Sequence, residues 1–501
     1  MLEKDATIVT VKHEVLYQVA KHAFAEDLEE TRDQIPYDII PGPQANFRCC
    51  VYKEREIIRQ RIRVAEGRSP IQDKENRNIV QVVQSACEGC PINRYVVTDN
   101  CQRCMSRKCQ QACRFGAITI EKDRARIDPQ KCKECGMCFR SCPYNAIVDV
   151  MRPCKRSCPV DAISMDENKI VVVDEEKCIH CGQCIKNCPF GAIMDRSFMV
   201  SVIDLINKGY PVYAMVAPAG EGQWGKANLG DLREAILKLG FKDMYEVALT
   251  ADMVAESEAT EWLEAYQEGK KMTTSCCPAF VAMVRKHFPT LADNISTTIS
   301  PMGAMARFVR AQHPGAITVF IGPCIAKKHE VLESVTDDNA DYALTFEELD
   351  AMLHAKEIEV NVSQENLQMG SKYGKGFSAS GGVTSAVVQT FKEMEVAVDA
   401  KVAQCNGAAE CKKSLMLMKG NRLPEDFIEG MACIGGCVNG PGNIKDEMKS
   451  RRDRMALFKQ ADDRTILDNI APYREEYPIS LHRHTHKAAP APEAPEAAPA
   501  E

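Results

Sequence analysis

No stretch of this 501-residue chain holds the roughly 18 consecutive apolar residues of a transmembrane helix, so no membrane span is expected. The opening, Met1 to Lys12, scatters charge and has no apolar core segment, which argues against a secretory leader and for a reducing cytoplasm. Positive charge is not in excess. The 63 Lys and Arg stand against 70 Asp and Glu, a net charge of −7, so nucleic-acid binding is not expected. No flavin or nicotinamide fingerprint appears, and use of a pyridine nucleotide would need partner subunits. Cysteine is the abundant exception, with 25 residues. That is still below the density of a small disulfide scaffold, and the spacings are those of metal ligands rather than paired bridges.

Sixteen of the 25 cysteines lie between Cys87 and Cys188. Two runs read C-x2-C-x2-C-x3-C-P: Cys132, Cys135, Cys138, Cys142, Pro143, and Cys178, Cys181, Cys184, Cys188, Pro189. This is the bacterial ferredoxin spacing for a [4Fe-4S] cubane, in which the fourth cysteine serves the neighbouring cluster. By that exchange Cys101, Cys104 and Cys109 take Cys142, and Cys132, Cys135 and Cys138 take Cys113. Cys178, Cys181 and Cys184 take Cys158. Cys87, Cys90, Cys154 and Cys188 remain and make a fourth set, unless Cys87 and Cys90 are idle or bind another metal. From Cys101 to Arg156 there are 13 Lys and Arg against 5 Asp and Glu. The excess either compensates cluster charge or forms a docking face for an acidic electron carrier, with Arg124 and Arg126 as the cations to reverse.

Four segments, "CRFGAITI", "CPYNAIVD", "CPVDAISM" and "CPFGAIMD", place a Cys shortly before an Ala-Ile pair, an internal repeat that implies two tandem modules. The expected organisation is a helical region over 1–85, ferredoxin-like 4Fe-4S modules over 86–150 and 151–195, an α/β domain over 196–475 and a tail over 476–501. Glu54 to Glu66 reads as an amphipathic helix. Cys49 and Cys50 are adjacent and read as inert thiols. Val212–Val216 and Ile317–Ile321 read as buried strands, Asp231–Leu239 and Ala259–Gln267 as helices, and Thr345 to Glu348 as a capping box. The Ala/Pro/Glu tail reads as disordered, and His482, His484 and His486 before it read as part of a solvated tail, with a metal role as the alternative.

Seven cysteines lie beyond residue 200. Five sit in "TTSCCPAF", "IGPCIAKKHE" and "EGMACIGGCVNGPG", segments whose Gly and Pro flanks suit loops converging on one site. Cys405 and Cys411 are extra and read as inert buried thiols, with oxygen protection as a hypothesis.

With these three segments the chain resembles the [FeFe]-hydrogenases, over about residues 140 to 460, in the wording of the group B branch. The resemblance implies an α+β multidomain fold, tandem 2[4Fe-4S] ferredoxin-like modules followed by a two-lobed α/β H-cluster domain. It implies that Cys277, Cys324, Cys433 and Cys437 hold a cubane, which Cys437 bridges to a diiron unit with CO, CN and dithiolate ligands. Cys276 would relay protons, Lys327 would hydrogen-bond a cyanide, and Met431, Pro218 and Pro301 would pack around the unit, with Gly381 and Gly382 shaping the wall. Glu258, Glu261, Ser296 and Glu330 map onto a proton route, the first two sharing a helix face. Met302, Gly322, Phe280 and the "GPGN" ending depart from the family's usual residues. The implied activity is reversible 2H⁺ + 2e⁻ to H2, with a ferredoxin-type carrier and hydrogenase maturation proteins as partners. The other readings are a hydrogen sensor and a hydrogenase-like iron–sulfur protein with low or no turnover.

Overall fold

The computed structural model describes residues 7–483 except 72, 74, 75, 89, 91, 92, 334–338, 363, 400 and 446; His484, His486 and the Ala/Pro/Glu tail lie outside the described residues. It divides into two compact units, Met1–Val200 and Ser201–Glu501.

The first unit opens with helices at Ile8–Phe24, Leu28–Thr31, Ile35–Ile39 and Val51–Ala65. The expected amphipathic segment is the last of these. Its Glu54 is buried because its carboxylate collects the backbone N–H groups of Asn46, Phe47 and Arg48. Among the described residues eight short strands follow: β1 (Val80–Val82), β2 (Tyr95–Val97), β3 (Ile118–Ile120), β4 (Ala125–Ile127), β5 (Ile147–Asp149), β6 (Ile163–Met165), β7 (Val171–Val173) and β8 (Ile193–Asp195). They form antiparallel pairs β2–β5, β3–β4, β6–β7 and β1–β8.

The Cys–Ala–Ile repeat has a local physical cause. In each copy the alanine N–H donates to the sulfur of the cysteine four residues earlier: Ala117 to Cys113 at 3.3 Å, Ala146 to Cys142 at 3.4 Å, Ala162 to Cys158 at 3.2 Å and Ala192 to Cys188 at 3.2 Å. The residue before each alanine has positive φ, at Gly116, Asn145, Asp161 and Gly191. These are the types that reach the left-handed region at least cost. The four alanines are buried, and the isoleucine after each starts a strand.

The pairing of β1 with β8 changes the expected boundary. Residues 80–82 complete the second module, not the helical region, so that module is built from two separated stretches of chain. The intervening module closes on itself: β2 pairs with β5, and Val150 N donates to Arg94 O at 2.7 Å.

Among its described residues the second unit carries seven strands: β9 (Val212–Val216), β10 (Asp243–Glu246), β11 (Met272–Thr273), β12 (Ile317–Ile321), β13 (Tyr342–Leu344), β14 (Val402–Asn406) and β15 (Phe427–Met431). They make two parallel sheets, ordered β10-β9-β12-β13 and β11-β15-β14. The expected strands at 212–216 and 317–321 are the two inner strands of the first sheet, which explains their apolar sequence. The capping box forms, with Glu348 N donating to Thr345 Oγ1 at 3.1 Å and Thr345 N to Glu348 Oε2 at 2.6 Å.

One helix differs from expectation. It spans Ala248–Gln267, starting eleven residues before the expected Ala259. Its first half is buried on nearly every side, so no apolar stripe marks it in the sequence. It packs against the helices Pro301–Gln312, Gly382–Glu393 and Ile466–Glu476. Trp262 on this helix stacks on Phe427 of β15 with centroids 4.1 Å apart, fixing the helix to the second sheet. Among the described residues no helix is long and apolar enough to cross a membrane.

Candidate functional site

In the first unit sixteen of the eighteen cysteines gather as four sets, and Cys49 and Cys50 stand apart, exposed. Cys101, Cys104, Cys109 and Cys142 line one small cavity, and Cys113, Cys132, Cys135 and Cys138 line another. Cys158, Cys178, Cys181 and Cys184 lie within electrostatic reach of one another, as do Cys87, Cys90, Cys154 and Cys188. All are free thiols. Further amide donors face them: Ala125 N to Cys101, Glu134 N to Cys132, Val171 N to Cys87 and His180 N to Cys178, each at 3.4 Å. Sulfur that accepts N–H bonds is prepared for negative charge. The residues therefore fit cubanes, with no disulfide to compete.

The fourth set has cationic neighbours that the spacing does not reveal. Arg152 Nη1 approaches Cys87 Sγ at 3.6 Å. Arg61 is buried, donates to Phe190 O at 3.1 Å and lies in reach of Cys188; burial lowers its pKa to about 10. The cations expected to dock a carrier are a different matter. Arg124 pairs with Asp99 and Asp123, and Arg126 with Glu121 and Asp123, so neither offers free charge. Among the described residues Arg103, Arg107, Lys108, Arg114, Lys133 and Arg140 have no acidic partner and are exposed. Exposed Met105, Phe115, Met137, Phe139 and Tyr144 alternate with them along this module.

In the second unit the carboxyl ends of the parallel strands release the site residues, as open α/β sheets do. Pro218 follows β9. Cys276 and Cys277 follow β11, and Cys277 precedes the helix Pro278–His287. Cys324 follows β12 and precedes the helix Ile325–Leu332. Cys433 and Cys437 follow β15. A thiolate at a helix N-terminus is favoured by the unpaired N–H groups there. These ends meet at a cavity of about 650 Å³, open mouth included, lined by Cys276, Cys277, Cys324, Cys437, Lys327 and Met431 with a mostly apolar wall that includes Pro218, Pro301, Met302 and Phe377. Cys433 is on the same loop, its carbonyl accepting Gly436 N at 3.1 Å, but does not line the cavity. Gly381 and Gly382 do not line it either. They start the helix behind it, where a Cβ on Gly382 would collide with the carbonyl of Gly376. Gly322 answers to packing too, since a Cβ there would meet the Phe320 ring at 2.7 Å.

Burial dominates the electrostatics. It pushes the Cys324 thiol up to about 11, against the lowering effect of Lys327. Cys437 and Cys276 are raised by the same cause, with Glu258 adding to Cys276. Thiols packed this way stay protonated unless a metal supplies positive charge, so this donor set fits an iron cluster. Lys327 is buried and its Nζ donates to Glu330 Oε2 at 2.8 Å, while Ser300 Oγ donates to Glu330 Oε1 at 2.6 Å. Glu330 thus orients Lys327. It makes no hydrogen bond to Glu258 or Glu261 among the described residues.

Glu258 is fully buried behind the cavity. Its Oε1 accepts Ser275 N at 3.0 Å and Ser275 Oγ at 3.1 Å, while Oε2 has no partner among the described residues. Burial raises its pKa from 4.5 to about 7. Ser296 Oγ donates to Glu261 Oε2 at 2.7 Å and not to Glu258. Sequence reasoning missed Ser275, and it missed Thr298, whose Oγ1 donates to Glu261 at 3.3 Å and exchanges a 2.7 Å hydrogen bond with Ser257. Both sit in hydroxyl-rich strings, "TTSCC" and "NISTTIS", from which no single serine or threonine stands out.

Buried acids brace the structure around the cavity. Lys375 Nζ lies 2.7 Å from both Glu221 Oε1 and Glu246 Oε1. Glu429 receives Gly381 N at 2.9 Å and Thr384 N at 3.0 Å, a carboxylate at a helix N-terminus. Cys405 and Cys411 are buried side by side, off the cavity.

Residues 210–441 match the family described as iron only hydrogenase large subunit, C-terminal domain. Residues 148–199 match the LdpA Fe-S cluster-binding domain and residues 124–147 a 4Fe-4S binding domain. Iron hydrogenase 1 of Clostridium pasteurianum is 29% identical over 42% of this chain and 45% of its own. The periplasmic [Fe] hydrogenase large subunit of Nitratidesulfovibrio vulgaris is 31% identical over 44% and 63%. A probable cytosolic Fe-S cluster assembly factor of Brugia malayi is 26% identical over 41% and 57%. The chain thus spans about half to two thirds of the length of these relatives. A solved [FeFe]-hydrogenase of Chlamydomonas reinhardtii is 20% identical, with a TM-score of 0.43 over 55% of this chain and 94% of that chain.

Proposed function

We propose, on the premise that residues 210–441 belong to the iron-only hydrogenase family, that this protein catalyses 2H⁺ + 2e⁻ ⇌ H2 in the cytoplasm. The observation that carries the proposal is the meeting of Cys276 with Cys277, Cys324 and Cys437 at one cavity, with buried Glu258 close behind. Cys277, Cys324, Cys433 and Cys437 would hold the cubane of an H-cluster, with Cys437 also reaching its diiron unit. When bound, that group supplies the open metal position and pendant base at which the H–H bond is made or broken.

The chain's own residues do the rest. The apolar wall excludes water. Glu330 and Ser300 hold the Lys327 ammonium toward the cavity as a charge-assisted donor. Burial keeps a proton on Cys276 Sγ. Glu258, titrating at about 7, takes and releases protons near working pH. Ser275 fixes one of its oxygens and leaves the other free. The four cysteine sets of the first unit would hold four [4Fe-4S] clusters and exchange electrons with an acidic ferredoxin-type carrier. Maturation proteins would install the diiron unit.

Infrared spectra of anaerobically matured protein test this, in the window of about 1,800–2,100 cm⁻¹ where metal-bound CO and cyanide absorb. Bands that shift under H2, with H2 evolution from a low-potential donor, are expected. The likeness to an Fe-S cluster assembly factor supports a second reading, an iron–sulfur protein without turnover. A full cubane complement with no bands after maturation would establish that reading instead.

A further inference from the structure

His482 lies outside the stretch that matches the hydrogenase family, and its sequence surroundings predict a solvated tail. The structure ties it down. Residues 481–483 run antiparallel to 297–299: Ile299 N donates to Leu481 O at 2.7 Å, Arg483 N to Thr297 O at 2.9 Å, and Thr298 bridges His482. Arg307 Nη1 clamps the backbone from the helix Pro301–Gln312, donating to Ser480 O at 2.5 Å and His482 O at 3.0 Å. The imidazole is thereby set against the proton-route carboxylate. His482 Nδ1 is 3.1 Å from Glu261 Oε1 and 2.9 Å from Thr297 Oγ1.

The rest of the Glu261 carboxylate is occupied. Ser296 Oγ and Thr297 N donate to Oε2, and the hydroxyls of Thr297 and Thr298 to Oε1. Hydroxyls can pass a proton on but do not store one at working pH, and a backbone amide does neither. An imidazole does both, because its two nitrogens exchange roles. The side chain of His482 is 56% exposed while that of Glu261 is 15% exposed. Nε2 has no partner among the described residues, so one nitrogen meets the carboxylate and the other is left for water.

We propose that His482 is the surface proton-exchange residue of this hydrogenase route: its Nδ1 proton passes to Glu261 Oε1 while Nε2 takes one from water, and the reverse on H2 oxidation. This rests on the hydrogenase reading above. The charged groups facing the imidazole are Glu261 from the helix Ala248–Gln267, Arg307 through the backbone carbonyl, and neighbouring Arg483. Arg483 is itself in reach of Arg285, Glu258, Glu330 and Glu333.

The test uses the full-length matured protein, as wild type, His482→Ala and His482→Gln. H2 turnover is measured in weak buffer across pH, then with added imidazole. Infrared bands of the loaded cofactor are recorded for each. His482→Ala is expected to lose about tenfold or more in weak buffer, within the range of general acid–base effects, and to regain it with imidazole while its infrared bands match wild type. His482→Gln keeps polar contacts to Glu261 and Thr297 yet should behave as the alanine variant does. Wild-type rates in both variants would overturn the proposal. So would a loss that imidazole does not restore, which marks a structural role. No turnover in wild type would overturn the hydrogenase reading and this proposal with it, and is told apart because the wild type itself fails.

Discussion

Replacing Glu258 with glutamine removes an ionisable group from the core at nearly constant volume. The native carboxyl titrates at about 7 and the unfolded one at 4.5. Between those values the native state holds a proton that the unfolded chain has released. The stability of the neutral form is therefore complete below about pH 4.5 and is lost as pH rises through 7. The difference corresponds to roughly 3 kcal/mol. The glutamine side chain cannot ionise, and its oxygen can still accept from Ser275. The variant should thus match wild type below about pH 4.5 and exceed it by roughly 3 kcal/mol at pH 8 in denaturant unfolding, while H2 turnover falls about 10²–10⁴-fold. The direct assay is infrared: the protonated carboxyl band in the wild type minus Glu258→Gln difference should titrate with a midpoint of about 7. A midpoint in the ordinary carboxylate range, with a stability difference that does not depend on pH, would refute the argument that burial tunes this group.

Lys375→Met leaves Glu221 and Glu246 buried without their cation and should cost about 3–5 kcal/mol in denaturant unfolding, most of it restored by adding Glu221→Gln and Glu246→Gln. Reversing Arg107, Arg114 and Arg140 to glutamate should slow reduction by an acidic carrier in low-salt stopped-flow, whereas Arg124→Glu with Arg126→Glu, already paired to acids, should change it far less. The opposite ordering would place docking elsewhere. Cys87→Ser should remove about four irons, one cubane, by iron assay and electron paramagnetic resonance; Cys405→Ser should remove none, since Cys405 is buried off the cavity.

The cysteine sets are legible because ferredoxin spacing encodes which thiols meet, and the same four groups come together in space. The two inner strands and the Thr345 box are legible because each is a local pattern. The first half of the helix Ala248–Gln267 is not, since a helix buried on every side has no stripe to read. The boundary near residue 85 is hidden because the partner of β1 lies more than a hundred residues away. Lys327, Glu258 and Glu330 stand out by motif, but that Glu330 holds Lys327, and that Ser275 holds Glu258, depends on contacts that only folding creates. His482 sits in a tail-like composition, and composition says nothing of a single backbone pairing.

The closure of β2 on β5 has a consequence for how this chain can be lengthened or shortened. The stretch from Arg94 to Val150 enters and leaves the fold at one hydrogen-bonded point, and it carries its own eight cysteines, Cys101 to Cys142. It is a guest inserted into a host, and guests with adjoining ends can be exchanged with little disturbance. Cut out and replaced by a short link, it would leave Cys87, Cys90, Cys154, Cys158, Cys178, Cys181, Cys184 and Cys188 on an unbroken host. The number of four-cysteine sets in the first unit is then a matter of which guest the loop carries, whatever the second unit does.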